Sequence, residues 1–150
     1  MRNALLCLVV LAGRASAQRS AVTELGAVAM STLARRDLAA AGVSVGHRPG
    51  QARVALLVVG GILDGRAAMR AEVTAQFLVN PAARRGMTAY GALGIAVVGA
   101  ADARGGGYIT MFFGVEQAAA RRGGWFVEAG LGGGVRIAAG ARWRAPRNPR

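Results

Sequence analysis

The sequence predicts an all-β chain, an eight-stranded antiparallel up-and-down transmembrane β-barrel behind a cleaved signal peptide. Three observations predict it. Apolar residues recur with a period of two through runs of about ten residues, the spacing of a strand with one apolar face. Eight such runs are parted by turn chemistry: ARRD, RPGQ, DG, NPAARRG, DARGGG, AAARRGG and GGG. An apolar leader too short to span a bilayer opens the chain.

The leader is residues 1–17. Arg2 supplies the positive start, ALLCLVVLA (4–12) the apolar run, and Ala15-Ser16-Ala17 small residues for a peptidase, which places cleavage before Gln18. The competing reading is an uncleaved N-terminal membrane anchor. The barrel domain then spans 18–144, and 145–150 form a basic tail. Cys7 is the single cysteine, so an internal disulfide is excluded.

The first six segments are Val22–Leu33, Leu38–His47, Arg53–Leu63, Arg66–Val79, Met87–Ala100 and Tyr108–Gln117. In the fourth, Ala67, Met69, Ala71, Val73, Ala75, Phe77 and Val79 share one face, and Arg70, Glu72, Thr74 and Gln76 share the other. Met69, Val73 and Phe77 also fit helical spacing, and Ala, Met, Arg, Glu and Gln favour helix. The first and fourth segments are therefore open between strand and helix. Gly91, Gly94 and Gly99 make the fifth poor helix material.

Two more strands come from WFVEAGLGGGVRIAAGARWR (125–144), which reads as a hairpin. Trp125, Val127, Ala129 and Leu131 share a face before the glycines; Val135, Ile137, Ala139, Ala141 and Trp143 share it after them. A three-residue Gly132-Gly133-Gly134 loop keeps that phase. Leu131 then faces Val135, Trp125 faces Ala141, and Glu128 lies diagonal to Arg136, roughly 7–8 Å away between Cα atoms.

Composition excludes several functions. Of 150 residues, 53% are hydrophobic, 23 are Gly, and the 19 basic residues are all Arg against 7 acids, giving +12. Without Lys there is no P-loop lysine and no Schiff base. The arginines are scattered through turns and alternating positions, with no stripe of interleaved aromatics, so nucleic-acid binding is not expected. No cofactor or metal is expected: the chain has one His and, after cleavage, no thiol.

In a bilayer every backbone polar group must pair, and a closed barrel is the β solution. From Val22 to Arg144 the chain resembles the small eight-stranded outer-membrane barrels of Gram-negative bacteria. The closing strand VRIAAGARW (135–143), alternating and ending near an aromatic, looks like the signal read by the barrel-insertion machinery. Seven residues, Arg144 to Arg150, follow Trp143, where that family often ends on its aromatic. The resemblance implies an outer-membrane location, with outer-membrane lipid and the insertion machinery as partners. Some eight-stranded barrels act on lipid A acyl chains with a Ser and a His. Here Ser44 and His47 are three apart, on opposite faces of a strand, so no enzyme is expected.

The expected site residues fall into three groups. Glu24 and the set Arg70, Glu72, Glu116, Glu128, Arg136 and Arg142 form an interior charge network that plugs the lumen. Phe77, Trp125 and Trp143 form an aromatic girdle at one end. Alternate turns lie at opposite ends, so Asp37, Asp64 and Asp102 ring one end. Arg48, Arg84, Arg85, Arg121 and Arg122 ring the other, joined by Arg147 and Arg150. If the termini are periplasmic, this arginine end is too, and suits lipid phosphates or an acidic partner. The favoured function is a structural or interaction scaffold. The alternatives are a secreted or periplasmic soluble β-barrel that binds a small apolar ligand, with the apolar phase turned inward, and a helical inner-membrane protein.

Overall fold

A computed structural model describes residues 21–101 and 103–145. The expected signal peptide with Cys7, Asp102, and the tail with Arg147 and Arg150 lie outside the described residues. Eight strands follow one another: β1 (Val22–Leu33), β2 (Leu38–Arg48), β3 (Ala52–Leu63), β4 (Arg66–Leu78), β5 (Met87–Ala100), β6 (Ala103–Gln117), β7 (Gly123–Leu131) and β8 (Val135–Arg144). Each pairs antiparallel with its neighbours, and β1 pairs with β8, so the sheet closes into an up-and-down barrel. The described residues contain no helix.

The first and fourth segments are strands. Helix propensity in these stretches is worth only tenths of a kcal/mol per residue. Each strand here has two partners: β1 runs in register against β2 and β8, and β4 against β3 and β5. Pairing on both edges overrides the local preference. The closing hairpin has the register read from its sequence, with Trp125 opposite Ala141 and Leu131 opposite Val135. Gly133 and Gly134 carry positive φ of 79° and 149°, which the tight connection requires. At the β3–β4 turn, Asp64 and Gly65 have φ of 51° and 77°, the paired positive values of a two-residue I′ turn.

Two boundary differences bear on the site, beside shifts of one residue at β3 and β4 and of two at β7. The stretch read as the DARGGG turn belongs largely to β6, which begins at Ala103 and not at Tyr108. Gly106 and Gly107 pair with Val98 and Val97, and a bulge near Val98–Ala100 absorbs the irregularity. Glycine is a weak strand former, but the neighbouring β5 edge recruits it. The second correction is Arg48, read as a turn residue, which is the last residue of β2 and is buried.

Alternate strand positions divide the wall. Leu25, Val43, Val54, Leu56, Val73, Leu93, Ile95, Ile109 and Ile137 stand on the outer surface. Inward positions carry Glu, Arg, Thr and Gln, with apolar layers between them. One layer joins Val28, Met30, Leu57, Val59, Phe126 and Ala138. Another joins Leu78, Tyr90, Ala92, Phe112 and Ala119. The even connections lie with the chain termini at what we call the terminal end; the odd connections lie at the far end.

Candidate functional site

Ten charged residues are buried among the described residues: Glu24, Glu72, Glu116 and Glu128, with Arg48, Arg53, Arg70, Arg136, Arg142 and Arg144. Strand phase brings them inside, because each occupies the inward set of its strand. The barrel has no other place for a long inward side chain than its own axis, so residues distant in sequence meet there.

At the terminal end two carboxylates hold four guanidinium groups. Glu116 accepts from Arg53 Nη2 at 2.9 Å, from Arg144 Nη2 at 3.1 Å, and from Arg142 Nη1. Glu24 lies 3.2 Å from Arg48 Nε and 3.1 Å from Arg144 Nε. Arg53 Nε approaches Glu24 Oε2 to 2.7 Å, a charge contact without hydrogen-bond alignment. Four cations on two anions leave positive charge over, and backbone carbonyls take it up. Arg48 donates to Pro81 O and Ala119 O, both at 3.0 Å; Arg144 donates to Arg121 O at 3.0 Å. These bonds draw the β4–β5 and β6–β7 turns across the mouth. Ala119 is fully buried there, and Ala118 takes a positive φ of 40° as the chain folds under.

The middle of the barrel joins charges to rings. Arg136 Nη2 lies 2.9 Å from Glu128 Oε2, across the diagonal of the closing hairpin. Tyr90 donates its hydroxyl to Glu128 at 2.6 Å. Arg136 stacks 4.1 Å over Phe112, and Arg142 4.3 Å over Phe126. A guanidinium on an aromatic face keeps its attraction where water is excluded. Toward the far end Glu72 receives Arg70 Nε at 2.6 Å and Arg136 Nε at 3.2 Å. Arg70 Nη1 also donates to Gly132 O at 2.8 Å.

The other expected site residues stay apart from this network. Phe77, Trp125 and Trp143 stand on the outer surface at the terminal end, with Gly123 opposite Trp143 and Ala52 opposite Phe77. Arg84, Arg85, Arg121 and Arg122 are exposed on the terminal-end turns. His47 is exposed and Ser44 half-buried, on opposite faces of β2. No group of three or more His, Cys, Asp or Glu able to hold a metal occurs among the described residues.

Sequence reasoning missed Arg48, Arg53 and Arg144 as network members, and Phe113 as an outer-wall aromatic. In β3 both faces are largely apolar: Val54, Leu56 and Val58 against Ala55, Leu57 and Val59. The inward phase of Arg53 is therefore not visible locally, and a one-residue slip reverses it. Arg48 shares the even phase of Gly42, Ser44 and Gly46, but Pro49-Gly50 marks it as a turn. Arg144 shares the phase of Arg142, a signal that was available.

No family model matches the sequence, and no curated protein matches it. Solved structures do. The N-terminal β-barrel domain of Pseudomonas aeruginosa OprF is similar with a TM-score of 0.68 and 14% identity, over 83% of this chain and 97% of that one. Neisserial surface protein A (NspA) is similar with a TM-score of 0.61 and 10% identity, over 83% of this chain and 99% of that one. The likeness is one of fold: this chain has the architecture of small eight-stranded bacterial barrels.

Proposed function

We propose that the protein is an integral outer-membrane barrel that acts as a structural or interaction scaffold, with a lumen plugged by its own side chains and no catalysis. The carrying observation is the direction of the two strand phases. The outer surface bears large apolar residues on every strand, while the charges lie inside. Soluble proteins seldom expose contiguous apolar surface beyond a few hundred Å². A soluble barrel for an apolar ligand needs the opposite polarity, so the same observation weighs against that reading. The fold shared with OprF and NspA supports the same conclusion.

The plug rests on the ion pairs and on space. The cavity midway along the axis, bordered by Thr74, Phe126, Glu128 and Arg142, is about 20 Å³. That is room for about one water. Each of the four glutamates is held by at least one guanidinium, which leaves no free carboxylate pair for acid–base work. The exposed terminal-end arginines would face the periplasm and meet lipid phosphates, and outer-membrane lipid would cover the apolar wall. Folded protein should migrate faster on a gel before boiling than after, and should stay with membranes through a carbonate wash. Release by carbonate overturns the membrane reading. Stable single-channel currents in a planar bilayer overturn the plug. A role for β8 in recognition by the barrel-insertion machinery predicts that Trp143→Ala slows membrane assembly more than Trp125→Ala; equal assembly rates in cells remove that role.

A further inference from the structure

The two ends of the interior place their arginines differently. At the terminal end the extra guanidinium groups donate to carbonyls of the covering turns. At the far end Arg70 is fully buried, yet its Nη2 has no hydrogen-bond partner among the described residues. Its Nε is committed to Glu72 and its Nη1 to Gly132 O. The geometry around it is tight: a Cβ added at Gly132 would lie 2.7 Å from Arg70 Nη2. The glycine lets the guanidinium sit against the β7–β8 turn.

Beside this group lies a cup of about 350 Å³ at the far end of the barrel. Arg70 and Thr32 form part of its lining, and Arg35 and Arg36 of the exposed β1–β2 turn form another part. Leu63 and the Tyr108 ring supply apolar wall. Three arginines line it and, among the described residues, no acid does. Asp37, beside them in sequence, has its carboxylate turned to the backbone N–H of Ala34 at 3.0 Å. The volume lies within the range of small-molecule sites, which is about 300–1,000 Å³. A buried N–H donor without a partner lowers its free energy by gaining an acceptor.

We propose that this cup binds a phosphate group carried on a small or amphiphilic molecule. Guanidinium forks match phosphate oxygens in geometry. A phosphate carries up to two negative charges and several acceptor oxygens, against one charge and two oxygens for a carboxylate, so it suits a cup lined by three arginines better. Arg70 would be the fixed contact, and Arg35 and Arg36 mobile ones that close over the ligand. The apolar wall would take the first carbons of an attached chain. Two sources offer this chemistry: a soluble phosphate monoester and the phosphorylated headgroup of a surrounding lipid.

The test uses the full folded barrel. In neutral detergent, hexyl phosphate is titrated by calorimetry against the parent and against a combined Arg35→Gln, Arg36→Gln variant. Both rim residues are exposed, so that variant folds. Its affinity should fall by roughly tenfold or more, the loss of hydrogen bonds to a charged ligand. Arg70→Lys keeps the charge but gives up the fork that bonds Glu72 and Gly132 O, so it should weaken binding and also lower unliganded thermal stability. If Arg70→Lys does not fold, the rim variant alone decides. A second arm places the barrel in phosphatidylcholine vesicles with or without phosphatidic acid. A rim-dependent rise in melting temperature with phosphatidic acid assigns the lipid source. A rim-dependent response only to added hexyl phosphate in plain vesicles assigns the soluble one. No response to either probe, or a rim variant that responds as the parent does, overturns the proposal. These readouts need only a folded barrel, so they stand or fall separately from channel and localisation assays.

Discussion

The terminal end and the far end of this barrel are built from the same parts to different effect. At the terminal end Arg48, Arg53, Arg142 and Arg144 crowd onto Glu24 and Glu116, and turn carbonyls accept from Arg48 and Arg144. At the far end Arg70 and Arg136 share Glu72, and a cup remains open beside them. Turn length produces the difference. The β4–β5 and β6–β7 connections are long enough to fold across the mouth and present carbonyls to it. The β3–β4 turn has two residues and the β7–β8 turn three, so they have no chain to spare for a cover. Closure of an end depends here on backbone acceptors as much as on carboxylates.

The largest effect should follow from removing a terminal-end carboxylate. Glu116→Gln leaves Arg53 and Arg144 with Glu24 as their one carboxylate, and Arg142 with Glu24 and Glu128 each at 3.8 Å, and breaking a buried pair costs about 3–5 kcal/mol. Urea titration in lipid vesicles measures it. Glu72→Gln, nearer the open end where water can enter, should cost less; a loss as large as that of Glu116→Gln would erase the distinction between the ends.

The outer wall serves as a reference, because large apolar residues stand on it toward both ends. Val73→Arg, mid-strand on the exposed face of β4, should cost about 2–4 kcal/mol if that position lies at the bilayer midplane. Val79→Arg, just past the end of β4, should cost about 0–1 kcal/mol. Equal costs in the same titration would mean that the wall is not a lipid-facing band.

Between the two ends sits the Glu128–Arg136 pair, at 2.9 Å. Single replacements by Leu should each destabilise, and the double replacement should cost less than their sum, with a coupling of about 0.5–3 kcal/mol. Strict additivity would show that Arg136 draws on Glu72 instead, and so belongs to the far end.

The smallest effect is expected from the exposed arginines of the terminal end. Arg84→Gln and Arg85→Gln should each change stability by no more than about 0.5 kcal/mol, as surface substitutions do. A larger loss in the vesicle titration would extend the terminal-end network out to its turns.

Much of this was legible in the chain. Alternation of apolar and polar residues in 125–144 determined the last hairpin, its register and the diagonal of Glu128 and Arg136, because side chains on a strand alternate with period two. Asp64-Gly65 determined a tight turn, because its φ values exclude most other residues. The inward placement of Glu72, Glu116 and Arg142 followed from the same alternation. Tertiary structure alone decided the rest. Strand or helix for Val22–Leu33 was settled by two flanking partners that no local window contains. The phase of β3, and with it Arg53, was set by pairing to β2 and β4, since both of its faces are apolar. Arg48 meets Ala119, 71 positions away, only because the barrel closes. Local sequence carries the periodicity of each strand. Which charges meet depends on the closure of the ring, and closure is a property of all eight strands together.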